Sequence, residues 1–464
     1  MLAQLPLEIV DHILGYLDFE GVRSIARVCS AFRLPAQLRL FKNIRILPYN
    51  ACPDHTESII SSPHLLQYTS RLVVQCFNPR QYISVHSLWP RLPMMQRLTR
   101  VEISVDPIGC SRALSALESL GSRREIALVF RRKLAPDLLI SDNPLPVHTL
   151  ELKVDASNHP VATRLVQKCS QSLRQLRLLL LDNSTPPLPF LPYLNEFSVD
   201  TYLKETSDNP DLISLFPFLY QHPTITRISL SSSFTLAVQP PPNLLPNLQF
   251  LGASPRVIER LIPERPVNRI RAEYVSNFAD DFPCDIVLRS LRQPFVSVTT
   301  FAIKTDVYLP NDLLINTVQA LPKLRHFTVY WPCYEVRTPV VTRQKIFRID
   351  WKQVSVALQG LLPALGKCKD LVHIRLYPSK IHISPVPSWS RDHFVQMVQR
   401  VQENGAAGLW SFALNANLSA HQGGCEAIRV GWLDVPQQPT LRGEWRFYKQ
   451  GVSSFSFSDV PMSA

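Results

Sequence analysis

Glycine is scarce in this chain, at 14 of 464 residues. That excludes collagen-like repeats and long flexible linkers. The nine cysteines are scattered from Cys29 to Cys425, odd in number, with no two at C-x-x-C spacing. They form neither a disulfide framework nor a zinc-finger pattern and suit a reducing compartment. No apolar run approaches the roughly 20 residues that span a bilayer. The opening run MLAQLPLEIVDHIL has no basic leader and carries Glu8 and Asp11, so it does not read as a signal peptide. The expectation is a cytoplasmic or nuclear protein, in which the Asn183 and Asn417 sequons are chance matches. Catalytic signatures are missing as well: no G-x-S-x-G, P-loop or G-x-G-x-x-G occurs. Cys52, His55 and His64 stand in a proline-rich stretch without a paired cluster and read as a polar linker. His373 and His382 read as structural. No catalytic residue, metal site or cofactor is expected.

Proline is abundant, at 40 residues against an average of about 5%. Prolines spread along the whole length predict many short elements with stiff connections. Apolar residues at 45% and charged residues at 19% describe a folded chain. Its length predicts two or more domains, or one extended array. The net charge of +12 is dispersed. Its densest cluster, Arg131-Arg132-Lys133, is short and flanked by apolar residues, so neither nucleic acid nor membrane is an expected partner.

Residues 5–17, LPLEIVDHILGYL, predict a helix. Pro6 suits its first turn, Glu8 suits the dipole, and Ile9, Ile13 and Leu17 repeat at i, i+4, i+8 beside Val10 and Leu14. Asp18 is positioned to cap a second helix carrying Val22, Ile25, Ala26, Val28 and Cys29. Two helices this short cannot bury both faces on each other.

The run LPLEIVDHILGYLDFEGVRSIARVCSAF, residues 5–32, resembles the F-box family. The likeness lies in the opening Leu-Pro, the Glu-Ile, Ile-Leu and Tyr-Leu pairs, the closing Val-Cys, and an aromatic three residues after that Cys. It covers about forty residues. The resemblance implies a small helical bundle that docks on a Skp-type adaptor and, through it, joins a cullin-based (SCF-type) ubiquitin ligase. It implies adaptor contacts from Leu5, Pro6, Ile9, Ile13, Leu14, Leu17, Val28, Cys29 and Phe32. Phe32 stands where the family usually has Trp, and Pro35 falls where the family's helix continues, so the second half of the module is expected to be kinked or re-registered.

From residue 41 a six-residue pattern recurs: apolar, two others, apolar, one other, apolar. It appears as FKNIRI (41–46), TSRLVV (69–74), LTRVEI (98–103), RREIAL (123–128), VHTLEL (147–152), LRQLRL (173–178), LNEFSV (194–199) and ITRISL (225–230). Later cases are VTTFAI (298–303), LRHFTV (324–329), LVHIRL (371–376) and LWSFAL (409–414). Each ends in the alternation of a short strand. The first six are 24 to 29 residues apart, near the leucine-rich-repeat period. Between them lie helical-looking runs such as RALSALESL, VATRLVQKC, DLISLF and NDLLINTVQAL, and later RDHFVQMVQRVQE. The family's Asn ladder is absent, with Asp155 and Leu181 at two of its positions.

The expected fold is therefore α/β: a small N-terminal helical F-box followed by an irregular leucine-rich-repeat-like solenoid, the competing reading of the body being an irregular α/β fold without solenoid curvature. Its divisions are 1–45 F-box, 46–65 linker, 66–420 substrate-binding body and 421–464 cap and tail, with IRVGWL and GEWRFYK as possible paired strands. The insertion 331–352 carries Trp331, Tyr334, Arg337, Arg343, Lys345 and Arg348, a composition of aromatic and basic residues that suits binding to an acidic or phosphorylated target segment. The expected function is substrate recognition for a ubiquitin ligase, with an unidentified protein substrate. The alternative is an F-box scaffold acting outside any ligase.

Overall fold

A computed structural model describes residues 6–17, 19–28, 30–46, 61–75, 87–105, 107–120, 126–138, 140–182, 184–201, 212–231, 233–274, 291, 296–305, 311–331, 334–336, 346–348, 360–378, 411–415, 427–434, 442–449 and 452–456. Contacts divide the chain into two compact units, Met1–Asp208 with Ser214–Ile225, and Asn209–Ile213 with Thr226–Ala464.

The first unit opens with helices α1 (Leu7–Gly15), α2 (Phe19–Val28) and α3 (Ser30–Lys42). Pro6 at the N-cap starts α1. Pro35 does not break α3: it lies inside the helix and is buried beside Ala36 and Phe32. The helix continues through the proline, whose burial on this side offsets the lost backbone bond.

α3 runs without a linker into strand β1 (Asn43–Ile46), which pairs in parallel with β2 (Arg71–Gln75). Beside it follow β3 (Arg100–Ser104), β4 (Ile126–Phe130), β5 (Val147–Val154), β6 (Gln175–Leu180) and β7 (Glu196–Thr201), each parallel to the last. The register aligns one buried row across the sheet: Ile44, Leu72, Val101, Leu128, Leu150, Leu176 and Phe197. That row is the fourth position of the six-residue pattern from β1 to β3 and from β5 onward. Each such side chain removed from water contributes about 1.5–3 kcal/mol.

In the second unit β8 (Arg227–Leu230), β9 (Phe250–Ala253), β10 (Arg269–Tyr274), β11 (Thr300–Thr305) and β12 (His326–Trp331) are again parallel. After β12 a short antiparallel hairpin, β13 (Tyr334–Val336) with β14 (Ile346–Arg348), interrupts the chain. The sheet resumes with β15 (His373–Pro378), parallel to β12, and β16 (Ser411–Asn415). Its buried row is Ile228, Leu251, Ile270, Phe301, Phe327 and Ile374. Antiparallel strands β17 (Ala427–Asp434), β18 (Arg442–Lys449) and β19 (Val452–Ser456) end it, containing the runs IRVGWL and GEWRFYK.

The expected F-box-plus-solenoid fold is corrected here. Helices and strands alternate within parallel sheets, an α/β architecture of the class that includes doubly wound sheets and βα barrels. The sheet begins at residue 43, directly off the third helix. The spacing of 24–29 residues also hid two unlike connections. Helices Pro107–Glu118, His159–Cys169, Phe216–Gln221, Pro255–Leu261 and Asn311–Gln319 lie in the crossovers β3–β4, β5–β6, β7–β8, β9–β10 and β11–β12. The described residues of the connections 131–146, 181–195 and 231–249 contain no helix. They bury side chains instead, among them Leu134 and Ile140, Leu191 and Leu194, and Phe234 and Leu248. Even spacing therefore reflected parallel crossovers of similar length, not one repeated unit.

Strands β9 and β10 were not anticipated. Their segments LQFLGA (248–253) and VNRIRA (267–272) fit the same pattern, but both end in Ala, and Gly252 argues against a strand. The glycine has a reason to be there. A Cβ at 252 would come within 3.3 Å of the Arg271 guanidinium and of Ser229 Oγ, which Arg271 reaches across the strand.

Candidate functional site

The N-terminal helices build a core of their own from Val10, Leu14, Val22, Phe32 and Ala36, with Leu17, Ile25, Ala26 and Leu40 packed on it. This sorts the residues that the sequence had grouped as one docking face. Leu14 and Phe32 face inward and hold the three helices together. Leu17 is half-buried against that core, and Ile13 is half-buried. Pro6 is exposed, Ile9 is 46% exposed and Val28 79%. Leu5 and Cys29 lie outside the described residues. Leu34, which sequence reasoning passed over, is 53% exposed. Its signal was present in the sequence: an apolar residue two positions from the inward-facing Phe32 points elsewhere on a helix. Beside these, Tyr16 Oη and His12 Nε2 lie 3.0 Å apart, with their rings edge to face. The helices thus combine a satisfied core with apolar side chains left in water.

In the insertion, Trp331 ends β12, and the β13–β14 hairpin sets Tyr334 opposite Arg348. Arg337, Arg343 and Lys345 lie outside the described residues, as do Cys52, His55, His382 and the run 391–403. His64 belongs to the short helix Pro63–Leu66, and His373 opens β15. No group of three metal-ligating side chains occurs among the described residues. None of their helices is long and apolar enough to cross a membrane.

One polar cluster resembles hydrolytic machinery and is wired differently. Ser184 Oγ donates to Asp182 Oδ1 at 2.5 Å and lies 3.1 Å from His159 Nε2. A nucleophilic triad needs the imidazole in the middle, taking the serine proton while the carboxylate holds its other nitrogen. Here serine is in the middle. Asp182 also accepts from the backbone N–H groups of Ala156 and Ser184. Burial pushes its carboxyl up, but these donors outweigh burial and hold it below the usual range. The arrangement fastens two loop ends rather than activating a hydroxyl.

Among the described residues, a concentrated cluster of charge lies on the other face of the first unit's sheet, at the fifth position of the pattern. Glu102 on β3 is buried, and three arginines converge on it. Its Oε1 accepts from Arg71 Nη2 and, at 2.8 Å, from Arg100 Nε. Its Oε2 accepts from Arg131 Nε at 3.0 Å and Nη2 at 2.8 Å. Burial alone would raise the Glu102 pKa, but hydrogen bonds from Arg100, Arg131 and Arg71 hold it at about 2. Sequence reasoning passed over this cluster because Arg131 was weighed with its neighbours Arg132 and Lys133, whereas its partners come from two other strands.

No family model matches the chain, and a search of curated proteins finds no relative.

Proposed function

We propose that the chain is a non-catalytic recognition subunit whose helices α1–α3 dock a Skp-type adaptor and thereby join a cullin-based ubiquitin ligase. The parallel α/β units would then hold the protein to be modified. The observation that carries this reading is the division of labour in the helices. Val10, Leu14 and Phe32 already satisfy the internal core, yet Ile9, Val28 and Leu34 remain exposed on the same short module. Apolar side chains with no internal role are what a docking surface needs, and each one covered by a partner contributes about 1.5–3 kcal/mol. The F-box-like sequence of residues 5–32 says which partner chemistry to test first. Ligation would be promoted by proximity, through the raised effective concentration of target near the ligase.

The test uses the full chain, because α3 runs directly into β1. Recovery of a co-expressed Skp-type adaptor should be lost in Ile9→Asp and Val28→Asp, with the thermal transition unchanged because both side chains are already exposed. Undiminished recovery in both variants removes the docking surface. Adaptor recovery without cullin would favour a scaffold acting outside a ligase.

A further inference from the structure

We propose that the arginines around Glu102 form a binding site for a single phosphomonoester group, borne as phosphoserine or phosphothreonine on a segment of a partner protein. Glu102 is 3% exposed, whereas Arg71, Arg100 and Arg131 are 36%, 36% and 40% exposed. The carboxylate is saturated and inaccessible, while the cations that surround it reach solvent. Each guanidinium carries five N–H donors. Arg71 and Arg100 each place one on Glu102, and Arg71 Nε is buried with no hydrogen-bond partner. Arg131 adds a 3.5 Å contact to Glu151. Exposed Arg45 lies in the same cross-strand row, two strands from Glu102, through Val73.

Charge sets the ligand class. Arg45, Arg71, Arg100 and Arg131 face Glu102 and Glu151, a surplus of two positive charges. A phosphomonoester carries about −1.5 to −2 at neutral pH and three acceptor oxygens, a match that one carboxylate does not reach. Glu102 acts as a positioning residue: it fixes three guanidinium forks in place, so little side-chain freedom remains to be lost on binding. The size of the patch argues against a polyanion. Strands β1 to β4 span only about 14 Å, and further along the sheet β5 carries Glu151 and β7 carries Glu196 and Asp200. The same face also carries Lys153 on β5 and Arg177 on β6, Arg177 paired with Glu196, so beyond β4 the charges alternate in sign and the positive surplus does not continue along a backbone.

The inference stands apart from the adaptor reading, since the two map to different residues. The test is fluorescence anisotropy on the full chain with three peptide pools. All share degenerate flanks and differ only in a central phosphoserine, glutamate or serine. The phosphoserine pool should bind, the serine pool at least about tenfold more weakly, and free inorganic phosphate should compete. Arg45→Gln touches none of the Glu102 hydrogen bonds and so leaves the fold intact; it should weaken phosphoserine binding several-fold, and Arg131→Gln by more. Equal binding of the phosphoserine and serine pools, or no binding of any pool at millimolar protein, overturns the proposal. So does wild-type affinity in Arg45→Gln together with a folded Arg131→Gln. Tighter binding of single-stranded RNA or anionic vesicles than of the phosphoserine pool overturns it as well.

Discussion

The two units each bury a strongly charged side chain, by opposite means. In the first unit Glu102 is surrounded by full positive charges from three strands or strand ends. In the second, Arg265 is 1% exposed and donates to backbone carbonyls: Leu244 through Nε at 2.7 Å, Leu261 and Pro263 through Nη1, and Pro241 through Nη2 at 2.8 Å. A carboxylate balanced by ions depends on pH. A guanidinium balanced by backbone dipoles does not titrate in any accessible range, and what it holds is chain geometry. Arg265 ties the connection 241–244 to the chain that follows the helix Pro255–Leu261. Two left-handed residues flank these ties, Leu245 at φ 57 and Glu264 at φ 65.

Removing Arg265 should therefore break the comparison most severely. Arg265→Met keeps most of the apolar stem but strands the buried Leu244 and Leu261 carbonyls, each costing about 1–3 kcal/mol, and loosens the partly buried Pro263 and Pro241 carbonyls, the latter keeping the Leu244 N–H. The expected loss is about 4 kcal/mol from the second unit, read as accelerated hydrogen exchange in peptides covering 241–274. Unchanged exchange there would mean the carbonyls find other donors.

Glu102→Gln tests the other side. It leaves three guanidiniums facing a neutral amide, with an expected loss of about 3 kcal/mol. Acid should produce the same effect in the unaltered chain. The folded pKa of about 2 lies below the reference value of 4.5, so the stabilisation is fully present above pH 4.5 and is lost as pH falls towards 2. Of the seven tryptophans Trp89 alone belongs to the first unit, so a variant keeping only Trp89 reports its unfolding. If the acid sensitivity of that signal between pH 4.5 and 2 is the same with Gln at position 102, Glu102 is not its source.

The contrast also shows how far the sequence could be read. Alternating apolar positions specified the buried rows, because a period of two is a local property of each strand. Ile44, Leu150 and Phe301 could be assigned inward without knowing their neighbours. The pairing of those rows into parallel sheets, joined by crossovers of unlike kinds, is not local. Spacing alone was compatible with a single repeated unit, and that expectation failed. Leu14 and Phe32 illustrate the same limit at the candidate docking site: an apolar stripe gives the side chains available for burial, but not which of them the module uses for itself. Glu102 and Arg265 were illegible for a related reason. Apart from Arg100, two residues from Glu102, their partners lie about 20 to 31 residues away or on the backbone, and no motif spacing records them.

His222 lies between these two extremes, a titratable group held by backbone groups. It accepts from Leu191 N–H through Nε2 at 2.8 Å and sits 2.6 Å from the Phe218 carbonyl through Nδ1. Burial depresses its pKa, and the Phe218 contact only partly offsets this. The neutral ring is thus the folded form. The unfolded chain binds more protons below about pH 6.5, so this contribution is present at higher pH and declines as pH falls through 6.5 towards the lower folded value. His222→Gln should cost about 1–2 kcal/mol at pH 8 and remove the mild acid sensitivity between pH 7 and 5. A pH slope that persists in the variant would assign it to another group.

The smallest expected effect separates the strain around Arg265 from the hydrogen bonds it makes. Glu264 is exposed and held at φ 65, a conformation that costs an L-residue about 1–2 kcal/mol and glycine very little. Glu264→Gly releases that cost but gives the unfolded chain more freedom, worth about 0.4–1 kcal/mol in the other direction. The net should be a stabilisation of about 0.5 kcal/mol. Leu245 has a similar φ but is 1% exposed, so Leu245→Gly also forfeits a buried side chain and should destabilise. Opposite signs at two residues sharing one backbone conformation would show that the left-handed turns are tolerated because Arg265 and the Leu245 side chain hold them. Destabilisation in Glu264→Gly would mean that the turn at 264 is unstrained, and that the Arg265 carbonyl bonds follow from the loop conformation rather than impose it.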